Sequence, residues 1–117
     1  MIPPVNSTLS ALQAYTTQMK VTSDNIANVN TEQFKKSKAT FVEGAGGGVQ
    51  ATISRVDTPG HRFQELAGDR VIEKETSNVD LSEELPQMMV TQHAYKANMK
   101  VIQTQDEILG TTLNIVG

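Results

Sequence analysis

The sequence predicts a mainly α fold, an antiparallel coiled coil of long N- and C-terminal helices around a small β-rich or irregular middle segment. Apolar residues recur at alternating steps of three and four near both ends. A run of glycines, Gly44 and Gly46-Gly47-Gly48, interrupts the middle, and a short alternating stretch follows it. Heptad-like spacing is the signature of a helix with one packing seam, whereas strict alternation marks a strand. These patterns divide the chain into 1–38, 39–76 and 77–117.

The first helix carries the series Val5, Leu9, Leu12, Thr16, Met19, Ser23, Ile26 and Asn30, five of them apolar. Pro3 and Pro4 suit a helix entrance, where the missing N–H groups have no partner to lose. The helix should fray between Asn28 and Thr31, whose side chains compete for backbone hydrogen bonds. Asn28 and Asn30 read as capping residues, Asn30 the more so. Asn25, Asn28, Asn30 and Thr31 crowd the end of the first helix, and Gln103, Thr104, Gln105 and Asp106 crowd the second. A buried amide in a seam would fix register at some expense of stability. The plainer reading of those that do not cap is solvent exposure.

In the middle, Val49 to Ser54 alternates like a strand. Asp57-Thr58-Pro59-Gly60 has Pro and Gly in the order of a type II turn. Arg62 to Leu66 and Arg70 to Lys74 form two short extended segments joined through Ala67-Gly68-Asp69, a small hairpin or flap.

The second helix is the clearer one. Leu85, Met88, Gln92, Tyr95, Met99, Ile102, Asp106, Leu109, Leu113 and Val116 follow the three–four rhythm, and eight of the ten are apolar. Asp80 and Glu83 have capping-box spacing, and Glu83 and Glu84 complement the helix dipole. Pro86 is tolerable only if the first turn begins near Ser82 or Glu83. From Ser82 to Val116 such a helix would run roughly 50 Å. We expect Leu9, Leu12, Met19 and Ile26 to pack on Tyr95, Met99, Ile102 and Leu109, with Leu85, Met88 and Leu113 extending the assembly seam.

Composition narrows the function. Apolar residues make up 38% and aromatics 4% of 117 residues, a thin supply for a self-contained core. A partner that completes the fold is therefore expected. A net charge of −3 argues against a nucleic-acid binder, and no apolar run approaches the roughly 20 residues that span a bilayer. The absence of cysteine removes disulfide frameworks and thiol nucleophiles. Met1 to Asn6 shows no secretory signal pattern.

Candidate chemistry is sparse. The glycine run lacks the following Gly-Lys-Ser/Thr of a phosphate loop. His61 and His93 stand outside any metal-ligand spacing, so no metal or cofactor is expected. No serine elbow or acid–base carboxylate pair is visible, and no enzyme activity is expected. Lys35, Lys36 and Lys38 form the one basic cluster, either a solvated flank or a docking patch for an acidic partner.

Two segments carry a family resemblance. Asp24-Asn25-Ile26-Ala27-Asn28-Val29-Asn30-Thr31-Glu32-Gln33-Phe34-Lys35 resembles the N-terminal signature of bacterial flagellar basal-body rod and hook (axial) proteins. Ser77-Asn78-Val79-Asp80-Leu81-Ser82-Glu83-Glu84-Leu85, continuing through Gln92–Asn98 and Gln103–Leu109, resembles their C-terminal signature. This chain looks like a minimal, short member. The family usually has Gly where Gln33 stands, often Arg at His93, and a helix former at Pro86. The resemblance implies a non-enzymatic structural subunit of the basal body, exported by the flagellar type III apparatus without a cleaved signal. It implies polymerisation through the terminal helices with itself and other axial proteins, and neither nucleic-acid binding nor membrane insertion. The competing class is a small cytoplasmic coiled-coil adaptor or regulator of flagellar type III secretion, which would close as a dimer.

Overall fold

The computed structural model describes residues 3–116. Helix α1 spans Pro3–Ala27 and helix α2 spans Leu81–Val116. Between them lie two antiparallel hairpins, β1 (Ser37–Glu43) with β2 (Val49–Arg55), and β3 (Arg62–Ala67) with β4 (Arg70–Glu75). The strand β1 was not foreseen. Its inward residues Ser37, Ala39 and Phe41 alternate with Lys38, Thr40 and Val42.

The molecule is elongated. Its extents are 83 × 25 × 18 Å and its radius of gyration is 21.0 Å, against about 13 Å for a compact chain of this length. Among the described residues only Ala14 and Val21 are buried apolar side chains. Helix α1 lies between the β1–β2 hairpin and α2, whereas β3–β4 packs on no other helix or strand. The hairpin is seated on α1 by an edge-to-face contact of Tyr15 with Phe41, ring centroids 5.1 Å apart, and by Val49 N–H donating to Ser10 Oγ at 3.1 Å.

The two helices run antiparallel, with Gln18 abreast of Thr91 and Asn25 abreast of Glu84. Their contact is not the predicted apolar seam. The inward stripe of α2 is Glu84, Met88, Thr91, Tyr95, Asn98, Ile102 and Gln105, all buried or half-buried. It shares Met88, Tyr95 and Ile102 with the predicted stripe. Leu85, Met99, Leu109 and Leu113 instead face solvent, Leu109 at 47% and Leu113 at 63% exposure. On α1, Leu12, Met19 and Ile26 are half-buried and Leu9 is exposed; the side chain of Val5 lies outside the described residues. At 1.5 Å per residue α2 is about 54 Å long and α1 about 38 Å, so about ten residues of α2 run past the start of α1. Every residue from Asp106 to Val116 is exposed.

Helix α2 begins at Leu81 with Asp80 as its cap, so Pro86 lies inside the helix rather than in its first turn. The helix nonetheless continues through it. Asp80 Oδ1 accepts from Ser82 N–H at 2.9 Å and from the Ser82 hydroxyl at 2.6 Å. Glu83 does not close the expected box; its carboxylate pairs with Lys36 at 3.1 Å.

Two backbone positions invert the usual glycine logic. Gln33 has φ 60°, keeping the left-handed turn for which glycine is the ordinary residue, and its N–H donates to Glu75 O at 2.9 Å. Gly60 lies outside the left-handed region, so the expected type II turn does not form. A Cβ there would stand 2.1 Å from Thr76 O, so close backbone approach requires the glycine. Gln33→Gly should therefore stabilise the chain by about 1 kcal/mol, while Gly60→Ala should destabilise it by about 2 kcal/mol or more. Thermal unfolding followed by circular dichroism checks both signs.

Candidate assembly interface

The residues of the two signature segments meet at one junction. Asn25 is 1% exposed, and its carboxamide joins three elements. Its Nδ2 donates to Ser37 O at 2.8 Å and to Glu84 Oε2 at 3.3 Å, and its Oδ1 accepts from Ser37 N–H at 3.0 Å. Thus α1 supplies the amide, β1 its backbone and α2 a carboxylate. Asn78 repeats the device one layer away. Its Oδ1 accepts from Lys36 N–H at 2.7 Å, while Nδ2 donates to Val56 O and Thr58 O, both at 2.8 Å. Its own N–H donates to Phe34 O at 3.3 Å.

The neighbouring signature residues take local roles. Asn28, rather than Asn30, closes the end of α1. Its Nδ2 donates to Asp24 O at 2.8 Å, and its Oδ1 accepts from the Thr31 hydroxyl at 3.0 Å. Asn30 and Leu81 are exposed, and Val79 is half-buried, its N–H donating to Ser77 Oγ. Phe34 and Lys35 are half-buried.

The root of β3–β4 is tied down by charge. Lys35 and Glu75 form an ion pair, and Gly60 N–H donates to the same Glu75 oxygen at 2.8 Å. That ammonium and then that N–H hold the Glu75 carboxyl below its ordinary range. Lys74 pairs with Glu65 and, at 3.4 Å, with Glu32; the Glu65 hydrogen bond chiefly raises its pKa. Lys36 is taken up by Glu83, leaving Lys38 exposed. The basic cluster is thus mostly spent inside the chain.

The remaining surface is unusual in its apolar content. Leu85, Met89, Val90, Met99, Val101, Ile108, Leu109, Leu113, Ile115 and Val116 are all exposed on α2. His61 and His93 are exposed as well. Among the described residues no group of three or more His, Asp or Glu could hold a metal, and no helix is long and apolar enough to cross a membrane. What the arrangement offers is an exposed apolar helix surface.

Two family profiles match, and they match the two ends that meet at this junction. The profile described as flagella basal body rod protein covers residues 6–35, and that described as flagellar basal body rod FlgEFG protein C-terminal covers 74–115. The chain belongs to the flagellar rod and hook protein family. Relatives in that family include the flagellar hook protein FlgE of Escherichia coli, 54% identical over 41 residues, which are 35% of this chain and 10% of that protein. The hook protein FlgE of Helicobacter pylori is 40% identical over 70 residues, 60% of this chain and 9% of that protein. The flagellar basal-body rod protein FlgG of Bacillus subtilis is 46% identical over 41 residues, 35% of this chain and 16% of that protein. The matched stretches therefore span only about a tenth to a sixth of these rod and hook proteins.

Asn25→Ala leaves a buried carboxylate and both Ser37 backbone groups without this partner, and should cost about 2–4 kcal/mol. Urea unfolding measures it. Acid should also loosen the junction. Ser82 holds the Asp80 carboxyl below its ordinary value, as Lys35 does that of Glu75. A carboxylate with a depressed folded pKa stabilises above its unfolded pKa, and that stabilisation fades as pH falls through the folded value. Stability measured against pH should drop below the ordinary carboxylate range, and Glu75→Gln should flatten that drop.

Proposed function

We propose that this chain is a structural, non-catalytic subunit of the flagellar basal-body rod or of the rod–hook axial structure. In this reading it assembles with copies of itself and with other axial proteins through its terminal helices. The observation that carries it is the stretch of α2 beyond α1, where Ile108, Leu109, Leu113, Ile115 and Val116 are all exposed. Where the inward stripe has an intrachain partner it is rich in polar residues, as in Glu84, Thr91, Asn98 and Gln105. Beyond that partner it continues as Leu109, Leu113 and Val116. Apolar side chains on a stripe without a covering helix favour association, at about 25 cal/mol per Å² of area removed from water.

Family membership supports the same reading, since the two matching profiles cover the helical ends, residues 6–35 and 74–115. The same reading includes residence in the basal body and passage through the flagellar type III apparatus.

Leu109→Asp should abolish assembly while leaving helix content unchanged, because Leu109 is exposed on the part of α2 that runs past α1. Sedimentation of the unaltered and substituted chains reads the outcome. Open, concentration-dependent oligomers that vanish in the variant support an axial subunit. A closed dimer insensitive to Leu109→Asp would favour the adaptor instead.

A further inference from the structure

The β3–β4 hairpin contributes little to its own molecule beyond its root. No helix or other strand packs on it, and a lone two-stranded hairpin is marginal in water. Its turn is well formed, with Gly68 at φ 68° as the first of two loop residues between the paired Ala67 and Arg70. Its root is fixed by the Glu75 and Lys74 ion pairs and by Gln33 N–H donating to Glu75 O. Near the tip, Leu66 and Val71 stand directly opposite one another, 75% and 61% exposed. Val71 and Glu73 share that face, and Asp69 lies in the turn.

A complementary surface lies on α2. Val90, Ala97, Val101, Thr104 and Ile108 fall on one helical line at steps of seven, four, three and four, and all are exposed. It is a different line from the one that meets α1. β-Branched residues are mediocre helix formers, so their concentration on an exposed line calls for a packing reason. Between Leu85 and Gln105 the helix has no acidic residue, and His93 and Lys100 border the line. Glu73 is paired with Arg62 at 3.7 Å and Arg70 sits on the other face of the hairpin, so Asp69 in the turn is the acidic group left at the apolar tip, and Lys100 borders the apolar ridge.

We infer that β3–β4 is an intersubunit arm whose Leu66–Val71 tip seats on the Val90–Val101–Ile108 ridge of a second copy of this chain. The inference rests on the reading that copies assemble, and it names a contact that overlaps the overhanging end of α2 only at Ile108. The root latches aim the arm, and the second copy supplies the surface that a free hairpin lacks.

The chain has no cysteine, so introduced thiols report directly. Leu66→Cys and Val101→Cys chains, mixed and oxidised, should give a disulfide-linked pair containing one of each. Val101→Cys alone should give none. Leu66→Asp should weaken self-association about tenfold with the circular dichroism spectrum intact, and Lys100→Glu should be partly rescued by Asp69→Lys. Dimers from Val101→Cys alone would mean that the ridge pairs with itself, and would overturn the arm. So would undiminished association of Leu66→Asp together with no mixed disulfide. If the unaltered chain stays monomeric at every concentration, the assembly reading falls with it. If it associates and only the arm variants are silent, the arm alone is wrong.

Discussion

The geometry of this chain depends on the carboxamide of Asn25. A helix with few apolar residues to bury cannot choose its neighbours by hydrophobic fit alone, so direction must come from hydrogen bonds. Asn25 takes both backbone groups of Ser37 and reaches Glu84, which sets the height of β1 against α1 and of α1 against α2 in one step. An apolar side chain at this position would tolerate sliding; an amide with both ends engaged does not. Gln18 with Thr91, two turns along, keeps the same register.

Asn78 completes the frame from the other end of the sequence. It gathers the chain leaving α1 and the extended segment that follows β2, just before α2 begins. The two family segments, distant in sequence, are therefore parts of one object. Gln33 shows how firmly that object is imposed. A non-glycine residue keeps the left-handed turn because Glu75 O, Phe34 and the Lys35 ion pair hold both sides of it.

Periodicity made the helices and the second hairpin legible, since a period survives whatever surrounds it. It could not choose between two overlapping lines on α2 that share Met88, Tyr95 and Ile102. Hydrophobicity favoured the line through Leu85 and Met99. The folded chain uses the line through Glu84, Thr91 and Asn98, because Asn25 and Gln18 offer hydrogen bonds there. A pattern of apolar residues carries no information about such partners. Strand β1 escaped for a related reason: its inward residues are mostly small, and only pairing with β2 and α1 gives them meaning. The sequence pattern marks the glycine at 60 as a turn residue, whereas it serves as a spacer, and the carbonyl it makes room for lies 16 residues away.

The near absence of a buried apolar interior has a thermal consequence. The heat-capacity change of unfolding comes chiefly from apolar surface newly wetted, and this chain keeps most of its leucine, isoleucine and methionine wet already. Its stability should therefore vary little in curvature with temperature, a shallow arch rather than a steep dome. Folding here is governed by bonds that weaken steadily on heating. The hydration term that makes ordinary domains vulnerable to cold is correspondingly small here.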